Sequence, residues 1–165
     1  MIGISKSVLA IVFTAGVVSA PVAELRAAPA PAPAADSGIL RVKSAYGMSE
    51  TIARIKQDIA AKGIKFFDEI DQTNLASGAG IQLRPSTLLV FGNPPLGIQF
   101  LTANPYAGLD WPVRMVVFQD EDGQVWIAYT AFDYIAHRHH IDDRAAQFKM
   151  ASEVAASIAS SAQRH

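Results

Sequence analysis

The sequence predicts an α+β domain with one mainly antiparallel sheet, two long helices on one of its faces, and short helices in the connections. Residues 112–130 hold two runs rich in β-branched and aromatic side chains around Asp122-Gly123, the mark of a hairpin. Residues 39–45 alternate Ile39, Arg41 and Lys43 against Leu40, Val42 and Ser44, the period of a half-buried strand. Near the C-terminus, Phe148, Ala151, Ala155, Ile158 and Ala162 recur at helical spacing.

Taken in order, the first strand leads to Ser49 as a helix N-cap. Glu50 suits the positive end of the helix dipole, Ile52, Ile55 and Ile59 fall on one face, and Lys62-Gly63 supplies a stop. Residues 64–70 read as a strand and 72–80 as a short helical turn entering a glycine-rich loop. Residues 86–91 are apolar on both faces, Leu88 and Val90 opposite Leu89 and Phe91, which predicts a central strand. Asn93-Pro94 and Asn104-Pro105 each set an Asn before a Pro at the first helical position, so each begins a short helix. The hairpin strands are residues 112–119 and 124–130, and a long helix over 142–162 closes the chain, its alanine stripe permitting close approach to the sheet. The hairpin carries Val116, Phe118, Trp126 and Tyr129 as well as Val113, Met115, Val117, Val125 and Ile127, so both sheet faces are apolar. Two helices cover one face. A twin subunit or an internal ligand pocket must account for the other.

The 165 residues fit one folded unit, and 50 % hydrophobic with 18 % charged residues excludes a disordered chain. With 14 Lys and Arg against 15 Asp and Glu, there is no basic field for a phosphate backbone, so nucleic acid is not an expected partner. The absence of cysteine removes disulfides, thiolate metal sites and cysteine nucleophiles. Lys6 followed by an uncharged apolar run over residues 7–20 is the pattern of a secretory signal, too short for a comfortable membrane span. The expectation is export to the periplasm or beyond, with no stable membrane insertion of the mature chain. Cleavage after Ala20 meets Pro21, and a site between Ala23 and Ala28 is equally open. The expected organisation is a signal over 1–28, an Ala/Pro spacer of polyproline II character over 29–37, and a domain over 38–163.

Residues 46–134 carry a further pattern: Glu69-Ile70-Asp71, Leu83-Arg84-Pro85, Phe91-Gly92-Asn93-Pro94 with Gly97, Leu109-Asp110-Trp111-Pro112, and Asp122-Gly123-Gln124-Val125-Trp126 leading to Tyr129. Together and in this order they resemble the bacterial domain-of-unknown-function 302 family. The resemblance implies a compact α+β fold similar to the TATA-binding-protein type, and a homodimer, but no established activity. Members often have His where this chain has Gln72, and Leu where it has Trp111; an amide does not titrate, which weakens any catalytic reading.

Asp71 and Asp110 border the Phe91-Gly92-Asn93-Pro94 loop in sequence terms, either as backbone caps or as an acid-base pair. Asn93 is either a helix cap or part of an anion site at a helix N-terminus. His137, His139 and His140 near Asp133, Asp142 and Asp143 raise a metal site, against the plainer expectation of a solvated junction with exposed imidazoles. Gly78-Ala79-Gly80 reads as loop, and no G-x-S-x-G, P-loop or H-E-x-x-H motif occurs. The expected function is therefore a dimeric small-ligand or partner-binding module, with no catalytic set, metal or cofactor assigned. Its expected ligand-binding residues are Asp71, Phe91, Gly92, Asn93, Asp110, Trp111 and Tyr129. The competing expectation is an enzyme using Asp71 and Asp110 in a closed pocket.

Overall fold

The computed structural model describes residues 37–163; the signal-like run and most of the Ala/Pro spacer lie outside them. The order is β1 (Ile39–Lys43), α1 (Met48–Ala61), β2 (Lys65–Asp71), α2 (Gln72–Gly78), β3 (Ser86–Gly92) and α3 (Pro94–Ala103). A 3-10 turn (Pro105–Leu109), β4 (Val113–Gln119), β5 (Val125–Thr130), α4 (Phe132–Arg138) and α5 (Ala145–Ser160) follow. The strands form one sheet in the order β1-β5-β4-β3-β2, and every neighbouring pair is antiparallel. This is the α+β architecture that the patterning predicts.

The hairpin turns where Asp122-Gly123 places it, with Gly123 at φ +79°, a left-handed conformation open to glycine at no steric cost. Asp120 ties the turn together: its carboxylate accepts the backbone N–H of Asp122 and Gln124 and, at 2.6 Å, the indole N–H of Trp126. Those hydrogen bonds, the one from Trp126 foremost, hold the Asp120 carboxyl below its ordinary value of 3.8.

Two boundaries differ from expectation for tertiary reasons. α1 starts at Met48, with Gly47 at the N-cap position and no side-chain cap, so Ser49 already lies inside the helix. The entry is set instead by buried Thr51, whose hydroxyl meets that of Ser44 at 2.6 Å. The closing helix begins at Ala145 rather than 142, because residues 132–138 form a helix of their own and His140, at φ +51°, breaks the run between them.

Leu89, Phe91, Met115, Val117 and Ile127 are almost completely buried on one sheet face, under Ile55 and Ile59 of α1 and Phe148, Ala155 and Ile158 of α5. Each such side chain contributes about 1.5–3 kcal/mol on burial. Tyr129 pairs with Met115 and so belongs to this covered face, not with Val116, Phe118 and Trp126. On the opposite face Leu88, Val90, Val116, Phe118 and Trp126 remain only half-buried, with the Arg41 guanidinium over the Trp126 ring at 4.1 Å.

Candidate functional site

β3 and β4 are neighbours, Phe91 facing Val113, so the chain leaving β3 and the chain entering β4 meet at one end of the sheet. Trp111 is the contact between them. A Cβ on Gly97 would lie 1.8 Å from Trp111 Nε1, and one on Gly92 would lie 3.1 Å from it. Only a residue without a side chain lets the indole approach α3 this closely at Gly97. From the other side, a bulge in β2 between Phe66 and Asp68 turns Phe67 out of the ladder, and its ring meets Trp111 edge-on at 6.1 Å.

Beneath Trp111 lies a cavity of about 330 Å³, within the size range of small-molecule sites. Phe91, Gly92 and Val113 from the strands, Leu96, Gly97 and Phe100 from α3, and Phe132 from α4 line it. α5 closes it with Met150, Ala151, Val154 and Ala155. The void exists because α5 presents alanines where longer side chains would fill the space. Residues with polar side-chain atoms are sparse in the lining: Lys62, Asn93 and Trp111.

The cavity contains Phe91, Gly92, Asn93 and Trp111 of the expected binding residues, and omits Asp71, Asp110 and Tyr129. Asp71 pairs with Thr87, whereas Phe91 pairs with Val113; about 13 Å of strand therefore separates Asp71 from the cavity end of the sheet. Its carboxylate caps α2 by accepting the Asn74 N–H at 2.9 Å. Asp110 does not cap backbone. Its carboxylate, 5 % exposed, accepts from His139 Nε2 at 2.6 Å and faces Arg138 and Arg114 at 3.3 Å each. The two aspartates are thus not a pair. Tyr129 lies in the core, where burial pushes its phenol above the ordinary value of 10.

Asn93 stands at the N-cap position of α3 without a side-chain cap, and the first turn of that helix leaves no free N–H to an anion. Pro94 and Pro95 carry no N–H, and those of Leu96 and Gly97 already donate to the Asn93 carbonyl at 3.1 and 2.8 Å. Among the histidines, His137 and His140 are exposed, but His139 is buried on Asp110, contrary to the expected solvated junction. Among the described residues no three His, Asp or Glu side chains converge as a metal site would need. Phe67, Phe100, Phe132, Met150 and Val154 escaped the sequence reading as site residues. Met150 and Val154 offered a signal, standing four residues apart on α5 beside the alanine stripe.

Curated relatives include fluoride-specific ion channel FluC 1 of Brucella suis biovar 1, 33 % identical over 106 residues, covering 64 % of this chain and 42 % of the relative. The Brucella abortus biovar 1 protein of the same description matches at the same identity and covers 39 % of its own length. The chain therefore spans about two fifths of these relatives. No helix among the described residues is long and apolar enough to cross a membrane. A crystal structure of an uncharacterized conserved DUF302 protein from Bacillus stearothermophilus shares the fold, with a TM-score of 0.70 at 19 % identity over 76 % of this chain and 98 % of that one. The family described as "Domain of unknown function DUF302" matches residues 40–162, nearly the whole described domain, and the chain belongs to that family.

Proposed function

We propose that this chain is an exported, dimeric binding module that holds a small molecule in the cavity under Trp111 and catalyses no reaction on it. The cavity carries the reading: it is apolar, of ligand size, and lined from five elements of the domain. The acid-base alternative gains no support, since Asp71 and Asp110 stand apart and Asp110 is committed to His139 and two arginines. Thermal-shift screening of the purified protein tests the reading. A ligand at 100 times its Kd adds about 2.7 kcal/mol to the native state. Ala151→Leu, which fills part of the void, should remove the shift; an equal shift in both proteins would place the ligand elsewhere.

The half-buried face of Leu88, Val90, Val116, Phe118 and Trp126 supports association with a second copy over at least about 1,000 Å² in total. Export rests on the apolar run after Lys6. Cell fractionation with N-terminal sequencing should recover a mature chain beginning between residue 20 and the Ala/Pro spacer; full-length protein in the cytoplasm would contradict it. The match to part of two proteins named as fluoride channels favours a second reading, a module that works beside such a channel. Co-purification with a co-expressed fluoride channel tests that one.

A further inference from the structure

Resting in part on the cavity reading above, we propose that Met150 is an oxidation site at the mouth of the cavity, where a peroxide converts its thioether to a sulfoxide and thereby weakens the hold on apolar ligands. Solvent access marks the mouth. Phe91, Phe100, Phe132 and Ala155 line the cavity and are buried, whereas Lys62, Asn93 and Met150 line it and are exposed, so these three stand at the opening. Met150 alone of the three has an apolar side chain. It belongs to α5, which packs on the covered face of the sheet; association through the opposite, half-buried face therefore leaves Met150 open to solvent.

The chain has no cysteine, so no thiol competes with its thioethers for an oxidant. Among the described residues the methionines differ sharply in access: Met115 is 0 % exposed in the core, Met48 is half-buried against it, and Met150 is 55 % exposed. Oxidation follows exposure, so Met150 reacts first. Its sulfur lone pair attacks one peroxide oxygen; the S–O bond forms as the O–O bond breaks, sulfur gives up two electrons, and the other oxygen takes up a proton and leaves as water. The product carries a polar oxygen where the side chain was flexible and apolar. An apolar ligand packed on Met150 strips water from that oxygen and gives no donor in return, which costs binding energy. Methionine sulfoxide is reduced enzymatically, so the change is reversible.

Treatment of the purified protein with hydrogen peroxide decides the matter, read by peptide mass spectrometry and by titration with the neutral fluorescent probe N-phenyl-1-naphthylamine. An added oxygen should appear at Met150 well before Met48 or Met115, and the affinity for the probe should fall at least about fivefold in step with it. Met150→Leu should keep its affinity through the same treatment, and Met150→Gln, untreated, should bind as weakly as the oxidised wild type. Methionine sulfoxide reductases acting on both epimers should restore the wild type. Oxidation of Met48 or Met115 ahead of Met150 would overturn the site. Oxidation at Met150 that leaves the affinity unchanged, or an equal loss in Met150→Leu, would overturn the effect on binding and leave the cavity reading standing. If the untreated wild type takes up no probe, or Ala151→Leu takes it up unchanged, the cavity reading itself fails and the effect on binding falls with it.

Discussion

His139 Nε2 lies 2.6 Å from Asp110 Oδ2, with both side chains 5 % exposed, and this contact fastens the end of α4 to the turn that carries Trp111. Arg138 and Arg114 supply the remaining charge from the half-exposed side, and Asn104 Nδ2 holds the His139 carbonyl at 2.8 Å. Removing one partner of a buried pair leaves the other without compensation, which costs about 3–5 kcal/mol. Asp110→Ala should therefore lower stability by that order in denaturant unfolding. Asp110→Asn, which keeps the shape and part of the hydrogen bonding, should lose about 1–3 kcal/mol. Because Asp110 is outside the cavity lining, folded Asp110→Asn should keep its ligand response; loss of response without loss of stability would return Asp110 to the binding site.

Gly97 tolerates no side chain while Trp111 is in place, the nearest ring atoms standing 1.8 and 2.1 Å from where a Cβ would be. Gly97→Ala should destabilise by about 1–3 kcal/mol through overpacking. In the Trp111→Ala background the same substitution should cost much less. A double-mutant cycle in urea measures this, and additive losses would show that the two residues do not constrain each other.

Asp120 predicts the direction of one acid-side effect. Its carboxyl is held below 3.8 in the folded protein by the Trp126 indole N–H and two backbone N–H groups, so the unfolded chain takes up its proton first as pH falls. The contribution is present above about pH 3.8 and is lost below it, as pH falls through the lower folded value. Melting curves of Asp120→Asn against wild type should converge at the acid end and separate toward neutral pH. Curves that separate instead as the acid end is approached would contradict the assignment.

The open sheet face predicts a dimer that one charge disrupts. Val116 lies in the half-buried row between Leu88 and Ala128, and Val116→Glu would put a carboxylate into any interface formed there. Light scattering should report a dimer for the wild type at micromolar concentration and a monomer for the variant. A wild-type monomer under those conditions would reject association through this face.

Most elements were legible because their signals are local. Alternation of side chains wrote β1, runs of β-branched and aromatic residues wrote both hairpin strands, Gly123 wrote the turn, and isoleucine and alanine spacing wrote the buried faces of α1 and α5. The Phe91-Gly92-Asn93 and Trp111 loops were legible as motifs at strand ends, and the pairing of β3 with β4 is what brings them together. The resemblance to the DUF302 family followed from those same motifs and agrees with the match over residues 40–162.

What only the tertiary structure decided is which ends of which elements meet. Asp71 and Phe91 both border loops in sequence, yet antiparallel pairing of β2 with β3 sets Asp71 against Thr87 and sends it to the far end of the sheet. Tyr129 turned to the covered face through its pairing with Met115, which composition alone does not specify. His139 became a buried partner of Asp110 because α4 stops at its C-cap and His140 takes a left-handed conformation, folding the imidazole back across 29 residues of chain. Periodicity reports which face of an element is apolar. Strand order, register and the partner of a buried charge depend on contacts between residues far apart in the chain, and no local spacing encodes them.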